Sequence, residues 1–306
     1  MPQTMQTCKM AGRDVTRVGF GAMQLGELPG RPAVDRDTAI DVVRTAVELG
    51  VNHIDTAAFY GPGTANEVIR EALTPYGDDL VIVSKVGAVH NGEGRDLAQR
   101  PEQLREQVED NLLGLGVDQL DVVNIRSVQH GLTGGFAIPD DQIVDMDDQL
   151  AELIALRDEG KIGAIGLSSV DSDTLRRALP AGIVCVQNFY NLLHRADHPV
   201  LELCRENGIA WVPFFPLGSA TPGRLNVLAE PAVLDIAARL DVTPAQVGLA
   251  WLLAHDPSTL LIPGTASVDH LRDNVASAFV ELDDSAMAVL DGLVPAALPQ
   301  TGAASS

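Results

Sequence analysis

The sequence predicts an α/β fold built as a single (β/α)8 TIM barrel. Short runs rich in Val and Ile alternate along the chain with longer segments of helical period, and eight such runs are found. Parallel strands joined by helical crossovers follow from this alternation, and eight is the number that closes into a barrel. The predicted strands are Val18–Ala22, His53–Asp55, Leu80–Ser84, Leu120–Ile125, Ala164–Ser168, Val184–Gln187, Ala210–Phe214 and Thr259–Pro263.

The segments between these runs carry the signals of helix ends. Thr243 precedes Pro244, which places a capping hydroxyl before a proline at the first helical position. Gly50, Gly160 and Gly208 each follow a helical run, where a residue in the left-handed conformation is favoured. The predicted helices are Asp37–Leu49, Pro101–Leu113, Asp147–Glu159, Pro199–Asn207, Ala245–Leu253 and Val268–Phe279.

The alternative fold is an open, doubly wound parallel sheet. That fold usually carries a GxGxxG motif after its first strand, whereas the first run here reads Gly19-Phe-Gly21-Ala-Met-Gln24 and lacks the third glycine. No interior linker divides the chain. We therefore expect residues 1–306 to form one domain, with a disordered tail rich in Ala, Gly and Ser from about residue 295.

Composition excludes several classes of partner. The formal charge of −21 argues against a nucleic-acid partner and against an anionic membrane surface. Cys8, Cys185 and Cys204 are widely spaced and form no CxxC motif, which is typical of a reduced, cytoplasmic protein. The N-terminus has no long apolar run, so we expect neither a signal peptide nor a membrane span. The oligomeric state stays open.

Three residues near predicted strand ends have the chemistry of a tuned general acid. Asp55 and Tyr60 follow the second strand, and Lys85 directly follows the third. A tyrosine is a weak acid with a reference pKa of roughly 10, and a nearby ammonium lowers such a value. A buried ammonium in turn requires a carboxylate. The alternative is a lysine that only extends from a strand end into solvent.

Polar residues follow the later strands at the same ends. Arg126 follows the fourth strand, Ser168 ends the fifth, and Gln187 ends the sixth. In a barrel these carboxyl ends lie on one face, where barrel enzymes keep their sites. The one-sided placement therefore predicts an active site on that face.

The last predicted unit has the features of an anion site. Ser267 is a candidate cap for the helix that begins at Val268, and a helix N-terminus offers free N–H groups. Thr265, His270 and Arg272 could add donors to a phosphate. The alternative is an ordinary capped helix.

Several motifs together carry a resemblance to a known family. The pattern Gly-Val-Asn-His-Ile-Asp55-Thr-Ala, followed by Tyr60-Gly61, resembles the signature of the aldo-keto reductase family. The resemblance implies a TIM barrel that binds NADP(H) across its C-terminal face and reduces a small aldehyde or ketone, with a tyrosine that protonates the oxygen. Matching motifs continue in order at Lys85, Leu120-Asp121, Ile165–Ser168, Gln187-Asn188, Phe215–Gly218, Ile262–Gly264 and Asn274.

The resemblance also implies roles for individual residues. Tyr60 would be the general acid, Lys85 the ammonium that tunes it, and Asp55 the partner of Lys85. Ser168 and Gln187 would hold the nicotinamide carboxamide. The residues implied for NADP(H) binding are Gly21, Ala22, Met23, Ser168, Gln187, Phe214, Pro216, Leu217, Gly218, Ser219, Ile262, Gly264, Thr265, Ser267, His270 and Asn274.

The chain departs from the family pattern at Arg126, where most members have a catalytic histidine. An arginine stays protonated, but it can donate to a carbonyl oxygen and stabilise developing negative charge, so we count Arg126 as a catalytic residue. His130, four residues on, is an alternative donor. Gly264 and His270 stand where some members use a lysine and an arginine for the 2′-phosphate, which weakens the preference for NADP over NAD.

The arginine, with the later run Val-Pro-Phe-Phe-Pro-Leu-Gly, resembles a bacterial subgroup that includes pyridoxal reductases, so pyridoxal is a candidate substrate. The alternative function is a barrel that binds NADP(H) as a redox sensor or accessory subunit with little turnover. We expect no metal site. Pro199 directly follows the pair His194 and His198, and the acidic segment Asp140–Asp148 lacks the glycine and glutamate of a calcium loop.

Overall fold

The structure is a computed structural model that describes residues 4–26, 34–61, 63–91, 95–128, 138–218 and 225–293. Its strands are β1 (Thr7–Met10), β2 (Arg13–Thr16), β3 (Phe20–Gly21), β4 (His53–Asp55), β5 (Val81–Val86), β6 (Ala88–His90), β7 (Arg95–Leu97), β8 (Leu120–Arg126), β9 (Ile162–Ser168), β10 (Ile183–Gln187) and β11 (Ala210–Trp211). Its α-helices are α1 (Arg36–Glu48), α2 (Thr64–Leu73), α3 (Pro101–Leu115), α4 (Met146–Asp158), α5 (Ser172–Ala178), α6 (His198–Glu206), α7 (Pro231–Leu240), α8 (Pro244–His255), α9 (Val268–Ala276) and α10 (Asp284–Asp291).

Seven strands form one parallel sheet in the order β11-β10-β9-β8-β5-β4-β3. Among the described residues, each connection between neighbours contains one α-helix, from α1 between β3 and β4 to α6 between β10 and β11. Parallel neighbours require such crossovers, because a short turn cannot bring the chain back to the same starting edge. The predicted alternation of strands and helices in a parallel sheet is confirmed.

The segment at residues 258–261 is hydrogen-bonded to both edges of the sheet. The N–H of Leu260 donates to the carbonyl of Trp211 in β11 at 2.8 Å. The N–H of Leu261 donates to the carbonyl of Arg17, just before β3, also at 2.8 Å. The predicted eighth strand, Thr259–Pro263, therefore pairs through isolated bridges and does not form a regular strand.

Both faces of the sheet are buried, but the described helices pack on only one of them. The hydrophobic cluster on the other face consists of residues from strands and connecting segments, with Met10 and Val15 supplied by the β1–β2 hairpin. A doubly wound sheet carries helices on both faces. The described residues therefore do not support that alternative. The members of this inner cluster are Met10, Val15, Val81, Val83, Val122, Ala164, Cys185, Ala210, Val212 and Leu260.

Two predicted strands are shorter in the structure, for local reasons. The run Ala210–Phe214 yields only Ala210–Trp211 as a regular strand. The N–H groups of Val212 and Phe214 still donate to the carbonyls of Val186 and Asn188, whereas Pro213 has no N–H to donate. The run that starts at Val18 yields a strand of two residues that passes directly into a 3₁₀ turn.

The predicted tail from about residue 295, Ser219 and His130 lie outside the described residues. The single-domain assignment stays a prediction. Of the helices described, none is both long and apolar enough to cross a membrane.

Gly166 in β9 leaves room for a polar contact on the inner face of the sheet. The thiol of Cys185 donates to Asn124 Oδ1 at 3.2 Å, and both residues are fully buried. A Cβ atom added at Gly166 would lie 1.9 Å from that Oδ1 and 2.7 Å from the sulfur. Both atoms end side chains that are fully buried, so the interior cannot absorb the added methyl group cheaply.

We therefore expect Gly166→Ala to destabilise the protein by about 1–3 kcal/mol, the usual cost of overpacking a core. Urea denaturation measures this loss. Gly77→Ala is the matched control, because a Cβ there meets only the exposed carboxylate of Asp79 at 3.1 Å. Equal losses in the two variants would contradict the packing argument.

Candidate active site

A large cavity lies at the carboxyl ends of the parallel strands. Its volume is about 1340 Å³, and all four predicted catalytic residues line it. The structure thus brings together side chains that are far apart in the sequence. The predicted site residues that line the cavity are Gly21, Met23, Asp55, Tyr60, Lys85, Arg126, Ser168, Phe214, Pro216, Leu217, Gly218, Ile262, Gly264, Thr265, His270 and Asn274.

A buried ion pair stands at one end of this cavity. Asp55 ends β4 and Lys85 lies near the end of the neighbouring strand β5, so the strand pairing itself brings the two side chains together. Lys85 Nζ donates to Asp55 Oδ1, with side-chain exposures of 7% and 4%. The same ammonium also donates to the carbonyl of Thr56 at 3.4 Å. The lysine therefore does not extend into solvent, and that alternative is wrong.

The charge of Lys85 is maintained by its neighbours. Burial alone lowers the pKa of Lys85, but attraction to Asp55 and then to Tyr60 raises it, and the net pKa is raised. The side chain is therefore an ammonium at neutral pH. Its Nζ lies 5.2 Å from the centre of the Tyr60 ring. A positive charge thus stands beside the phenol, where it can stabilise negative charge on the phenolic oxygen.

The position of Tyr60 is fixed by the turn that follows β4. Its N–H donates to the carbonyl of Ala57 at 3.0 Å, and the ring of Phe59 packs edge-on against it with centres 5.1 Å apart. Gly26 approaches so closely that a Cβ there would lie 2.5 Å from the Tyr60 backbone. The phenol is therefore held on a tight, well-packed turn.

Gln187 has a contact that the sequence analysis did not assign. Its Nε2 donates to Asp55 Oδ2 at 2.6 Å, so the carboxylate has a donor on each oxygen. The side chain is buried and is not among the described residues that line the cavity. Its Oε1 has no hydrogen-bond partner within the described part of the chain. The predicted contact with a nicotinamide carboxamide stays a prediction.

Arg126 ends β8 on the same side as Lys85. Asn124 pairs with Lys85 across the β5–β8 ladder, and Arg126 is two residues further along, so it points to the same face of the sheet. Arg126 thus lines the cavity two residues further toward the carboxyl end of β8 than the residue that pairs with Lys85. Across the next ladder, Arg126 pairs with Ser168, which also lines the cavity.

Aromatic side chains form one wall of the cavity. The rings of Phe214 and Phe189 are stacked with centres 6.0 Å apart. The neighbouring Phe215 has a φ of +50°, which is uncommon for a residue with a side chain. Its carbonyl is held by the Asn191 side chain at 3.0 Å and by the Gly218 N–H at 2.9 Å. These bonds stabilise the backbone that carries the aromatic wall.

Two glycines allow the backbone to approach closely at the opposite wall. A Cβ at Gly21 would lie 2.4 Å from the carbonyl oxygen of Ile262, and a Cβ at Gly264 would lie 2.7 Å from the carbonyl oxygen of Gly21. Any side chain at these positions would push the two segments apart. Ala22, the neighbour of Gly21, is buried and is not among the described lining residues.

The start of α9 is a capped helix beside the cavity. Ser267 Oγ accepts from the N–H of His270 at 3.4 Å, and the Ser267 N–H donates to Thr265 Oγ1 at 3.1 Å. Thr265 and His270 line the cavity, whereas Ser267 is outside the lining set. Arg272 is exposed and is also outside that set, which instead includes the neighbouring Asp273.

The two histidines of the sequence His194-Arg-Ala-Asp-His198 have separate environments. The His194 ring stacks on Phe189 with centres 4.5 Å apart, and His198 Nδ1 lies 3.3 Å from the hydroxyl of Tyr190. Among the described residues, no group of three or more His, Cys, Asp or Glu side chains is arranged to hold a metal ion.

Comparison with known proteins decides the family. Residues 17–295 match the model of the Aldo/keto reductase family. The chain belongs to the aldo-keto reductase family. It is 45% identical over 294 residues to pyridoxine 4-dehydrogenase of Escherichia coli K12, covering 94% of this chain and 98% of that protein.

Two further proteins are similar over most of their length. The chain is 30% identical to the NADH-specific methylglyoxal reductase of Escherichia coli K12, covering 92% of this chain and 96% of that one. A crystal structure of an aldo/keto reductase from Klebsiella pneumoniae in complex with NADP and acetate has a TM-score of 0.77 at 25% identity, covering 97% of both chains.

His53 lies two residues before Asp55 on the same inner face of β4 and is fully buried. Burial lowers the pKa of His53 to about 4. The cause is loss of hydration, which disfavours the imidazolium. The residue therefore stays neutral in the folded protein under conditions that protonate an exposed histidine.

The lowered pKa of His53 predicts that the free energy of unfolding decreases at acidic pH. Because the folded pKa lies below the unfolded value of roughly 6.5, the contribution of His53 is fully present above that pH and is lost as the pH falls toward 4. The expected loss is about 3 kcal/mol. Urea unfolding of the wild type and of His53→Leu between pH 7 and pH 4 measures it as a difference in pH dependence. Parallel curves for the two proteins would contradict the prediction.

Proposed function

We propose that this protein reduces a small aldehyde or ketone to the alcohol with NADPH, and that Tyr60 is the general acid. The observation that carries the proposal is the buried Lys85–Asp55 ion pair beside Tyr60 at the end of a large cavity. A protein that only binds a nucleotide has no need of an ammonium buried next to a phenol, since such burial is costly. Enzyme chemistry is therefore better supported than a sensor with little turnover.

The cavity fits NADP(H) in size and in chemistry. Ligand sites for small molecules span roughly 300–1,000 Å³, so about 1340 Å³ leaves room for a dinucleotide and a substrate. Gln187 Oε1 has no partner among the described residues, and it is an acceptor that an amide N–H₂ could use where that amide reaches through the cavity lining. The chain would bind the cofactor with Ser168 and Gln187 at the carboxamide, Phe214 at the nicotinamide ring, Gly21, Met23 and Pro216–Gly218 along the pyrophosphate, and Ile262, Gly264, Thr265, His270 and Asn274 toward the adenosine.

Four residues of this chain have separate roles in the proposed carbonyl reduction. When bound, NADPH supplies the hydride that reduces the carbonyl carbon. Tyr60 donates its phenolic proton to the carbonyl oxygen, and the ammonium of Lys85 stabilises the phenolate that remains. Asp55 holds that ammonium in place and keeps it charged. Arg126 donates to the oxygen on which negative charge develops.

We further propose an aldehyde with an anionic oxygen, such as pyridoxal, as the substrate. A guanidinium forms strong charge-assisted hydrogen bonds with such an oxygen, and Arg126 supplies one in the cavity. The relative with 45% identity is named for pyridoxine, the corresponding alcohol. A panel of aldehydes that includes pyridoxal, with the nicotinamide absorbance as the readout, tests this choice.

We also infer a single eight-stranded barrel, with Thr259–Pro263 as the eighth strand. The bonds of Leu260 and Leu261 to the two edges of the sheet support closure. The family match over residues 17–295 supports one domain. A cytoplasmic location stays a prediction from the cysteine pattern.

Tyr60→Phe tests the general acid. We expect kcat to fall by about 10²–10⁴, the usual worth of a positioned acid, while the dissociation constant for NADPH, measured by its fluorescence, stays unchanged. Tyr76→Phe is the matched control, because its hydroxyl donates to the Leu115 carbonyl at 2.7 Å, outside the cavity lining. Wild-type turnover in Tyr60→Phe would refute the assignment.

Cofactor choice is a separate prediction. His270 and Thr265 line the end of the cavity that we propose for the adenosine, so NADPH should bind more tightly than NADH. One charged hydrogen bond is worth about 1.5–3 kcal/mol. His270→Ala should therefore weaken the binding of NADPH by about one to two orders of magnitude and leave the binding of NADH unchanged. Equal dissociation constants for the two cofactors in the wild type would overturn the preference for NADP.

A further inference from the structure

We infer that a cluster of buried glutamines positions Arg126 and thereby sets the preference of the enzyme for anionic substrates. This inference rests on the proposed role of Arg126. The glutamine cluster consists of Gln99, Gln107, Gln142 and Gln149, whose exposures range from 2% to 5%. Glutamines are mostly exposed in proteins, and buried ones need hydrogen-bond partners for every polar group.

Gln99 is the centre of the cluster and contacts Arg126 directly. Its Nε2 donates to the carbonyl of Gly87 at 2.5 Å and to the carbonyl of Arg126 at 3.0 Å. Gly87 follows β5, and Arg126 ends β8. A single side-chain amide therefore joins the carboxyl ends of the two strands that carry Lys85 and Arg126.

The other glutamines hold Gln99 in one orientation. Gln149 Nε2 donates to Gln99 Oε1 at 2.9 Å and to its backbone carbonyl at 2.8 Å. Gln142 Oε1 accepts from the N–H of Gln99 at 2.8 Å. All four hydrogen-bonding groups of Gln99 are thus engaged. Rotation of its side chain would break several buried hydrogen bonds together, so the amide is a fixed support for the Arg126 carbonyl.

The backbone at Gly87 is shaped to receive this amide. Its φ is +109°, and a Cβ there would lie 2.6 Å from Gln99 Nε2 and 2.8 Å from the Arg126 carbonyl oxygen. Gln107 Oε1 accepts from the N–H of Gly87 at 2.7 Å, which holds the same peptide from the other side. The three segments can meet only because position 87 has no side chain.

The cluster also forms part of the cavity wall. Gln142 lines the cavity together with Asp141, which is bonded to the guanidinium of Arg100 at 2.6 Å. The peptide of Arg126 is therefore fixed relative to a wall of the cavity that Arg126 also lines. A small rotation of that peptide would be magnified at the end of the long side chain, and a misplacement of 1 Å costs about 10² in rate. Gln99 is thus a positioning residue, since it acts through Arg126.

A double-mutant cycle tests the inference. The proteins are the wild type, Gln99→Met, Arg126→Leu and the double variant, each assayed with pyridoxal and with benzaldehyde as a neutral aldehyde. We expect Gln99→Met to lower kcat/KM for pyridoxal by about 10- to 100-fold and to change benzaldehyde reduction far less. In the Arg126→Leu background the same substitution should cause no further loss of selectivity, because the side chain that it positions is absent.

Two further variants keep the test decisive. Gln149→Met leaves the Gln99 amide in place but removes its support, so it should shift the same selectivity ratio if Gln99→Met fails to fold. Asn111→Leu is the control for general destabilisation. Asn111 is fully buried, accepts hydrogen bonds from Asn66 and Ser84, and donates to the helical backbone carbonyl of Gln107, so these bonds do not involve the Gln99 amide or Arg126. The Asn111→Leu variant should have a lower melting temperature and an unchanged ratio of pyridoxal to benzaldehyde reduction.

The outcomes distinguish the proposed role of Arg126 from the positioning role of Gln99. If Arg126→Leu leaves the ratio of pyridoxal to benzaldehyde unchanged, the proposed role of Arg126 fails, and the positioning role falls with it. If Arg126→Leu changes that ratio but Gln99→Met does not, or if the two effects are additive in the double variant, the positioning role alone is wrong. A shift in selectivity by Asn111→Leu as large as that by Gln99→Met would also overturn it.

Discussion

The site depends on one buried ion pair. Asp55 receives Lys85 on one oxygen and Gln187 on the other, and all three side chains are buried. Loss of either charged partner would leave an uncompensated charge in the interior, at a cost of about 3–5 kcal/mol. The carboxyl ends of β4, β5 and β10 must therefore keep their relative positions. The rigid sheet supplies that constraint, and Tyr60 depends on it for its neighbouring ammonium.

The inner face of the parallel sheet is apolar at the beginnings of the strands and polar at their carboxyl ends. On the inner face, Val81 and Val83 precede Lys85 at alternate positions, and Val122 and Asn124 precede Arg126 in the same way. Each strand thus contributes apolar residues at its beginning and polar residues at its carboxyl end. The apolar layers pack into the core, whereas the polar ends open into the cavity. The same alternation that stabilises the fold places the cations.

The sequence predicted the central strands well, because strands buried on both faces appear as continuous apolar runs. It missed hairpin β1–β2, since Thr7–Met10 is largely exposed and carries no apolar alternation, and it missed α2, which begins after Gly63 without a capping side chain. In the site, resemblance and strand ends indicated Asp55, Tyr60, Lys85 and Arg126. The glutamine cluster could not be predicted, because four scattered glutamines read as surface residues until the fold brings them together.

The charge at the strand ends differs from the charge of the chain as a whole. The formal charge of the protein is −21, and Asp96, Asp141 and Asp273 also line the cavity, but at the ends of β4, β5 and β8 the cations Lys85 and Arg126 outnumber the carboxylate of Asp55. Surface carboxylates more than roughly 8 Å away are largely screened at physiological ionic strength, whereas buried charges are not. Under the proposed function, an anionic substrate that passes the carboxylates of the cavity wall would meet Lys85 and Arg126 at the strand ends. A neutral side chain in place of Arg126 would remove one of these two cations, so under the proposed function the guanidinium is the side chain that favours an anionic substrate.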